Sequence, residues 1–204
     1  MSSRIDILLC HIFILVICAI LLGAFSIQFG MGEFPCPLCL LQRMCMILSA
    51  IGPAYVIARG RHRRHTGMTV LSTGLGLAIL AAVGGMAVAT RQDLLHIEPG
   101  TPGYGSPIFG LHLYTWALLV FVCIIIASGL MLVFGAEYPS SSQATTSRKR
   151  WYTTLTLWLF GAIILANAIV AFMESGFNLF LPDNPEHYEL LRQLGIGTGS
   201  GGSG

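Results

Sequence analysis

Apolar residues in this chain fall into five long runs separated by short polar stretches. The runs cover about residues 5–27, 40–58, 68–90, 111–134 and 151–173. A helix that crosses a bilayer needs about 20 predominantly apolar residues, so each run is long enough or nearly so. Hydrocarbon admits only helices or closed barrels, because every backbone polar group must be satisfied internally. The runs lack the apolar–polar alternation of barrel strands, so the pattern predicts an all-α bundle of five transmembrane helices. The first run is too long for the apolar part of a signal peptide, and no A-x-A type cleavage site follows it.

Charge position sets the orientation. Arg4 precedes the first helix, Arg59, Arg61, Arg63 and Arg64 lie between helices two and three, and Arg148, Lys149 and Arg150 lie before helix five. Eight of the eleven basic residues thus gather on alternate loops, which makes that side cytoplasmic. The N-terminus is then inside and the C-terminus outside, and residues 28–39, 91–110 and the tail from Glu174 face outward. Tyr114 and Trp116 suit an interfacial aromatic belt at the head of helix four.

Composition agrees and narrows the options. The 204 residues are 54% apolar and 10% charged, with a mean hydropathy of +0.75, whereas a soluble domain is about 25% charged. A net charge of +2 gives no reason to expect a nucleic-acid partner. Six cysteines would allow three disulfides, but four of them (Cys10, Cys18, Cys45 and Cys123) fall inside the apolar runs, where they read as small buried apolar residues.

The remaining two carry the chemistry. Cys36-Pro37-Leu38-Cys39-Leu40-Leu41-Gln42-Arg43 stands at the outward head of helix two. Pro37 suits the first helical position. That would leave Cys36 near the N-cap, where the helix dipole and free N–H groups favour a thiolate. Arg43 follows Cys39 by four residues and Cys36 by seven, so the three share one helical stripe. An arginine there sits about one turn below the interface, in a segment where charge is costly. Three uses of the pair remain open: a redox-active disulfide in an oxidising compartment, a purely structural disulfide, or copper(I) bound by two thiolates. A c-type haem would require His where Leu40 stands, and structural zinc would want four ligands.

This motif, in this topological place, closely resembles that of the bacterial disulfide-bond formation protein B (DsbB) family. The resemblance covers about residues 5–135 and implies a helical bundle passing electrons from thiols to a lipid-soluble quinone, ubiquinone or menaquinone. By that resemblance Cys39 faces the quinone, Cys36 exchanges with the incoming thiol, and Arg43 bonds the quinone oxygen. The implied donor is a periplasmic thioredoxin-like (DsbA-like) dithiol protein, and the implied location is the bacterial inner membrane with the site on the periplasmic face.

The domain reading follows. Residues 1–135 form the DsbB-like core, 136–150 a cytoplasmic loop, 151–173 the fifth helix, 174–196 a periplasmic tail with a short helix, and 197–204 a linker-like end. The tail helix would be capped by Asp183 or Asn184, with Pro185 in its first turn. His96 and His112 flank the second outer loop, and either could hydrogen-bond a quinone, or serve as an interfacial anchor. His11 reads as a satisfied bundle residue. In helix five, Asn167 reads as an interhelical hydrogen-bonding group and Glu174 as an interfacial acid, with proton acceptance as the sharper alternative. Two departures from the family pattern stand out: residues 91–110 contain no second cysteine pair, and a fifth helix follows the usual four. The competing reading is a non-enzymatic membrane subunit or assembly factor in which Cys36 and Cys39 are structural or bind copper.

Overall fold

A computed structural model describes residues 3–32, 34–59, 67–96, 108–134, 147–177 and 188–194. Five long helices follow one another: α1 (Ser3–Met31), α2 (Pro37–Arg59), α3 (Gly67–Leu95), α4 (Leu113–Phe134) and α5 (Ser147–Ser175). A short α6 (Glu189–Gln193) completes the order. All five long helices are apolar and long enough to cross a membrane. Their apolar residues also point outward, with Leu80 71%, Val133 74% and Trp158 75% exposed. A protein in water could not afford that surface, but lipid acyl chains suit it.

The expected all-α bundle is therefore observed, with ends that shift at one pole. At that pole α1, α3 and α5 run two to five residues further than their apolar runs, and α2 starts three residues earlier, at Pro37. The reason is that polar side chains in those end turns find partners inside the bundle. Gln28, Gln92 and Glu174 are all buried and hydrogen-bonded, so the helix need not stop where hydrophobicity does. Gly32 and Gly176 then end α1 and α5 in the left-handed conformation, at φ 69° and 56°.

Helix α2 is the axis of the bundle. It packs most extensively on α3, which in turn packs on α4, while α1 lies against α2 and α5 against α1 and α2. With no hydrophobic drive in lipid, helices associate where small residues let backbones approach. Here that point is Gly52 on α2 facing Gly74 on α3: a Cβ added at Gly52 would lie 2.1 Å from the Gly74 carbonyl oxygen. A second close contact sets the Phe121 ring of α4 over Gly85 of α3, 2.2 Å from where a Cβ would stand. Nothing in the hydrophobic pattern distinguishes these glycines from the others.

Several expectations change. The tail helix begins at Glu189 with Tyr188 as its N-cap and no side-chain cap bond; Glu189 pairs with Arg192 one turn on at 2.5 Å. The proposed caps Asp183 and Asn184, like the Arg61–Arg64 cluster, most of the 91–110 loop and the 197–204 end, lie outside the described residues. Asn167 does not bridge helices, since its amide donates to the Ile163 carbonyl of its own helix at 3.0 Å. Cys10 and Cys18 are buried as expected, but Cys45 is half-buried and Cys123 is exposed, on the lipid-facing side of α4. His11 is only half satisfied: Nδ1 meets the Ile7 carbonyl at 2.8 Å, while the buried Nε2 has no partner.

The α2–α3 contact yields a direct prediction. Gly52→Ala and Gly74→Ala each insert a methyl into backbone and should cost about 1–3 kcal/mol, read as a Tm lower by several degrees in detergent. Gly84, with open space around its Cα, is the control: Gly84→Ala should leave Tm unchanged or raise it slightly.

Candidate functional site

The ends of α1, α2, α3, α4 and α5 meet at one pole, where Gln28, Gln42, Gln92 and Glu174 are buried. The head of α2 is built by Cys36. Its carbonyl accepts the Leu40 N–H at 3.1 Å and its sulfur accepts the Cys39 N–H at 3.2 Å, so Cys36 is the N-cap and its side chain is the capping group. Pro37 takes the first helical position, as the sequence predicts. The cap brings the two sulfur atoms to 2.7 Å, and both cysteines are recorded as free thiols.

Burial separates the two sulfurs. Cys36 is only 6% exposed, whereas Cys39 is half-buried. The hydrogen shared with Cys39, and then burial, push the Cys36 thiol above the ordinary thiol range. The helix N–H and the Gln92 amide favour the anion, as the N-cap position predicts, while the shared hydrogen and desolvation oppose it.

Two glutamines that the sequence did not single out organise the rest. Gln92, near the end of α3, points Nε2 at both sulfurs, 3.3 Å from Cys36 and 3.5 Å from Cys39. Its oxygen accepts from Gln42 at 2.9 Å, which fixes the amide's sense. Gln28, near the end of α1, accepts from Arg43 Nη1 at 2.7 Å and donates through Nε2 to Glu174 of α5 at 2.7 Å. Arg43 also reaches the Ala24 carbonyl at 3.4 Å and lies 5.5 Å from the centroid of the Phe25 ring, a cation–π contact. The charge that insertion does not explain is thus held, and Glu174 is no interfacial acid: it is 1% exposed. The only sequence signal for these groups was a polar residue within a turn of a helix end, which interfaces supply routinely.

Beside the pair lies an apolar cavity of about 240 Å³. Cys39, Gln42, Arg43, Gln28, Phe34 and Tyr114 are among its walls, and Cys36 is not. Ile20, Trp116 and Val120 line this cavity and also a larger groove of about 630 Å³, walled by α1 and α4 alone, with buried Ile17, Ile124 and Met131 among its walls and exposed Ile12, Val16, Leu119 and Leu130 at its rim.

His96 and His112 do not line the cavity. They stack on Tyr114 with centroids 5.4 and 5.2 Å away, and His96 Nδ1 donates to the Gln92 carbonyl at 2.9 Å. Tyr114 is buried rather than displayed in an interfacial belt, while Trp116 stays partly exposed and donates to the Ile108 carbonyl at 3.1 Å. Over the cysteine loop, the Tyr188 ring at the start of α6 meets Phe34 edge-on at 5.0 Å, and Gln193 accepts from the Phe177 N–H at 3.0 Å.

Comparison with known proteins is consistent with this arrangement. The profile of the family described as Disulfide bond formation protein DsbB matches residues 7–106, which span α1, the cysteine loop, α2 and α3. The chain is 36% identical to Disulfide bond formation protein B 1 of Pseudomonas savastanoi pv. phaseolicola, with 52% of this chain and 78% of that protein covered. It is 32% identical to the protein of the same name from Pseudomonas fluorescens, covering 58% of this chain and 85% of that one. Disulfide bond formation protein B of Burkholderia thailandensis is 28% identical, with 55% and 80% covered. No solved structure matches the chain. The helical bundle, the cysteine motif at the head of α2 and these relatives place the chain in the DsbB family of disulfide-forming membrane proteins.

Proposed function

We propose that the protein is a thiol:quinone oxidoreductase of the bacterial inner membrane, taking electrons from an external dithiol through Cys36 and Cys39. The observation that carries this reading is the division of labour between the sulfurs: Cys39 opens on an apolar cavity that also holds Arg43, and Cys36 does not. The residues fit a quinone. Apolar walls from α1 and α4 suit its ring and isoprenoid tail, and the half-buried Cys39 sulfur stands in the same wall as a guanidinium. Of the five N–H donors on Arg43, Gln28 and Ala24 engage two, which leaves donors for a carbonyl oxygen.

In this mechanism the pair begins as a disulfide. A thiolate of the donor attacks Cys36 and forms a mixed disulfide; the Cys36–Cys39 bond breaks, and Cys39 leaves as a thiolate. The second donor thiolate then releases Cys36, so the donor gains one disulfide and the pair gains two electrons. A quinone held by the cavity walls and Arg43 would supply the electron sink, taking the two electrons and two protons of the Cys36–Cys39 dithiol, whose disulfide would thereby be restored. Cys39 is the residue that hands over the electrons, Arg43 stabilises negative charge developing on the acceptor oxygen, and the Gln92 amide stabilises the sulfurs. His96 and His112 contribute through Tyr114, the ring of the cavity wall on which both stack. The donor fits a periplasmic thioredoxin-like dithiol protein. Since residues 91–110 lack a second cysteine pair, that donor meets Cys36 directly, without an internal relay.

Three outcomes test this. In purified protein with the pair reduced, added quinone should restore the disulfide, read by alkylation trapping, and Cys36→Ser should abolish the recovery; trapping that does not change with quinone would overturn the assignment. Arg43→Met should slow reoxidation by quinone about 10- to 100-fold, the scale of a lost hydrogen bond to a charged group, while reduction of the disulfide by dithiothreitol proceeds as before. Finally, a raised thiol pKa keeps Cys36 protonated through neutral pH. Iodoacetamide should therefore modify Cys36 of the reduced protein more slowly than a free thiol at pH 7–8, with the rate still climbing above that range. Cys39→Ala, which removes the shared hydrogen, should bring the rise to lower pH.

A further inference from the structure

The fifth helix lies beyond the residues matched by the family profile, yet it supplies a buried carboxylate to the site. We infer that Glu174 is a positioning residue for quinone: through Gln28 it orients the Arg43 guanidinium at the cavity wall. The inference rests on the quinone reading above.

The argument is one of hydrogen-bond sense. Gln28 is 3% exposed and Glu174 1%, so neither has bulk water as an alternative partner. An amide has one donating and one accepting end. Facing a carboxylate on one side and a guanidinium on the other, Gln28 satisfies both only with Nε2 toward Glu174 and Oε1 toward Arg43, and this is the arrangement observed, at 2.7 Å on each side. The reverse amide would set a carbonyl against a carboxylate and an NH₂ against a guanidinium. Arg43, which can only donate, requires Oε1, and Glu174 holds the amide in that orientation by accepting from its Nε2 end. Without it, the Gln28 amide loses the partner that holds it, and Arg43 loses its shortest hydrogen bond.

Packing of the fifth helix does not explain Glu174. Its second oxygen, Oε2, is buried without a partner, an arrangement that costs free energy. A leucine there would remove that cost. A chain selected only for a fifth spanning helix has no reason to bury an acid within its last turn, directed at a residue 146 positions earlier.

The test uses the full-length protein in detergent and separates binding from chemistry. Trp116 lines the cavity, so quenching of tryptophan fluorescence by a short-chain benzoquinone reports the Kd. Glu174→Leu should weaken that Kd and raise the quinone KM about tenfold, leave kcat within about threefold, and leave reduction of Cys36–Cys39 by dithiothreitol unchanged. Gln28→Leu, which cuts the relay but keeps both charges, should have the same effect, and the double variant should be no worse than either single one. Glu174→Gln, whose amide oxygen can still accept from Gln28, should recover Kd to within about threefold of the parent.

Wild-type Kd and KM in Glu174→Leu would overturn the inference, as would additive losses in the double variant or failure of Glu174→Gln to recover binding. A loss in the dithiothreitol step equal to the loss in the quinone step would point to a general structural role and overturn it too. If instead the unaltered protein shows no quinone-dependent reoxidation, it is the oxidoreductase reading that falls.

Discussion

A guanidinium placed below the head of a membrane helix must be held by something other than water, and much of this pole of the bundle answers that need. Burying an ion costs several kcal/mol unless other groups replace its hydration. Arg43 is met on one side by the α1 backbone and the Phe25 ring and on the other by Gln28, with Glu174 behind it. Those partners come from α1 and α5, so satisfying one charge on α2 fixes how α1, α2 and α5 end relative to one another. The tight α2–α3 contact at Gly52 and Gly74 sets the remaining neighbour, and it carries Gln92 to the sulfurs.

The same polar economy explains the paired sulfurs. Cys36 caps α2 with its sulfur, an atom that also has to exchange bonds, and Gln92 of α3, held by Gln42 of α2, supports it. Redox chemistry and helix termination share one atom. The helix end is the one place in a span where unpaired N–H groups are available to a sulfur anion without breaking the backbone ladder.

How far the sequence could be read followed from which forces are local. Hydrophobic runs are local, so all five spans and their order were legible, as was Pro37 as the first residue of α2. The spacing of Cys36, Cys39 and Arg43 is also local and fell on one stripe. Gln28, Gln92 and Gln42 were not legible as site residues, because a polar residue near a helix end is ordinary and its meaning lies in a partner far along the chain. For the same reason Glu174 read as an interfacial acid and Asn167 as an interhelical bond, when the first is buried in the site and the second is satisfied within its own helix. The close glycines were hidden too, since several others sit at similar depth with nothing near them.

The seam between α1 and α4 has a consequence for supply. Exposed apolar residues border it along the span, among them Ile12, Val16, Leu119 and Leu130, so an apolar molecule entering by it comes sideways out of the acyl chains and never crosses the aqueous phase. The concentration that governs occupancy is then the mole fraction in the lipid. Diluting the protein in water leaves that quantity untouched, whereas adding lipid or detergent lowers it at a constant total amount of quinone. Two membranes with equal bulk content but different area would therefore load this site to different degrees.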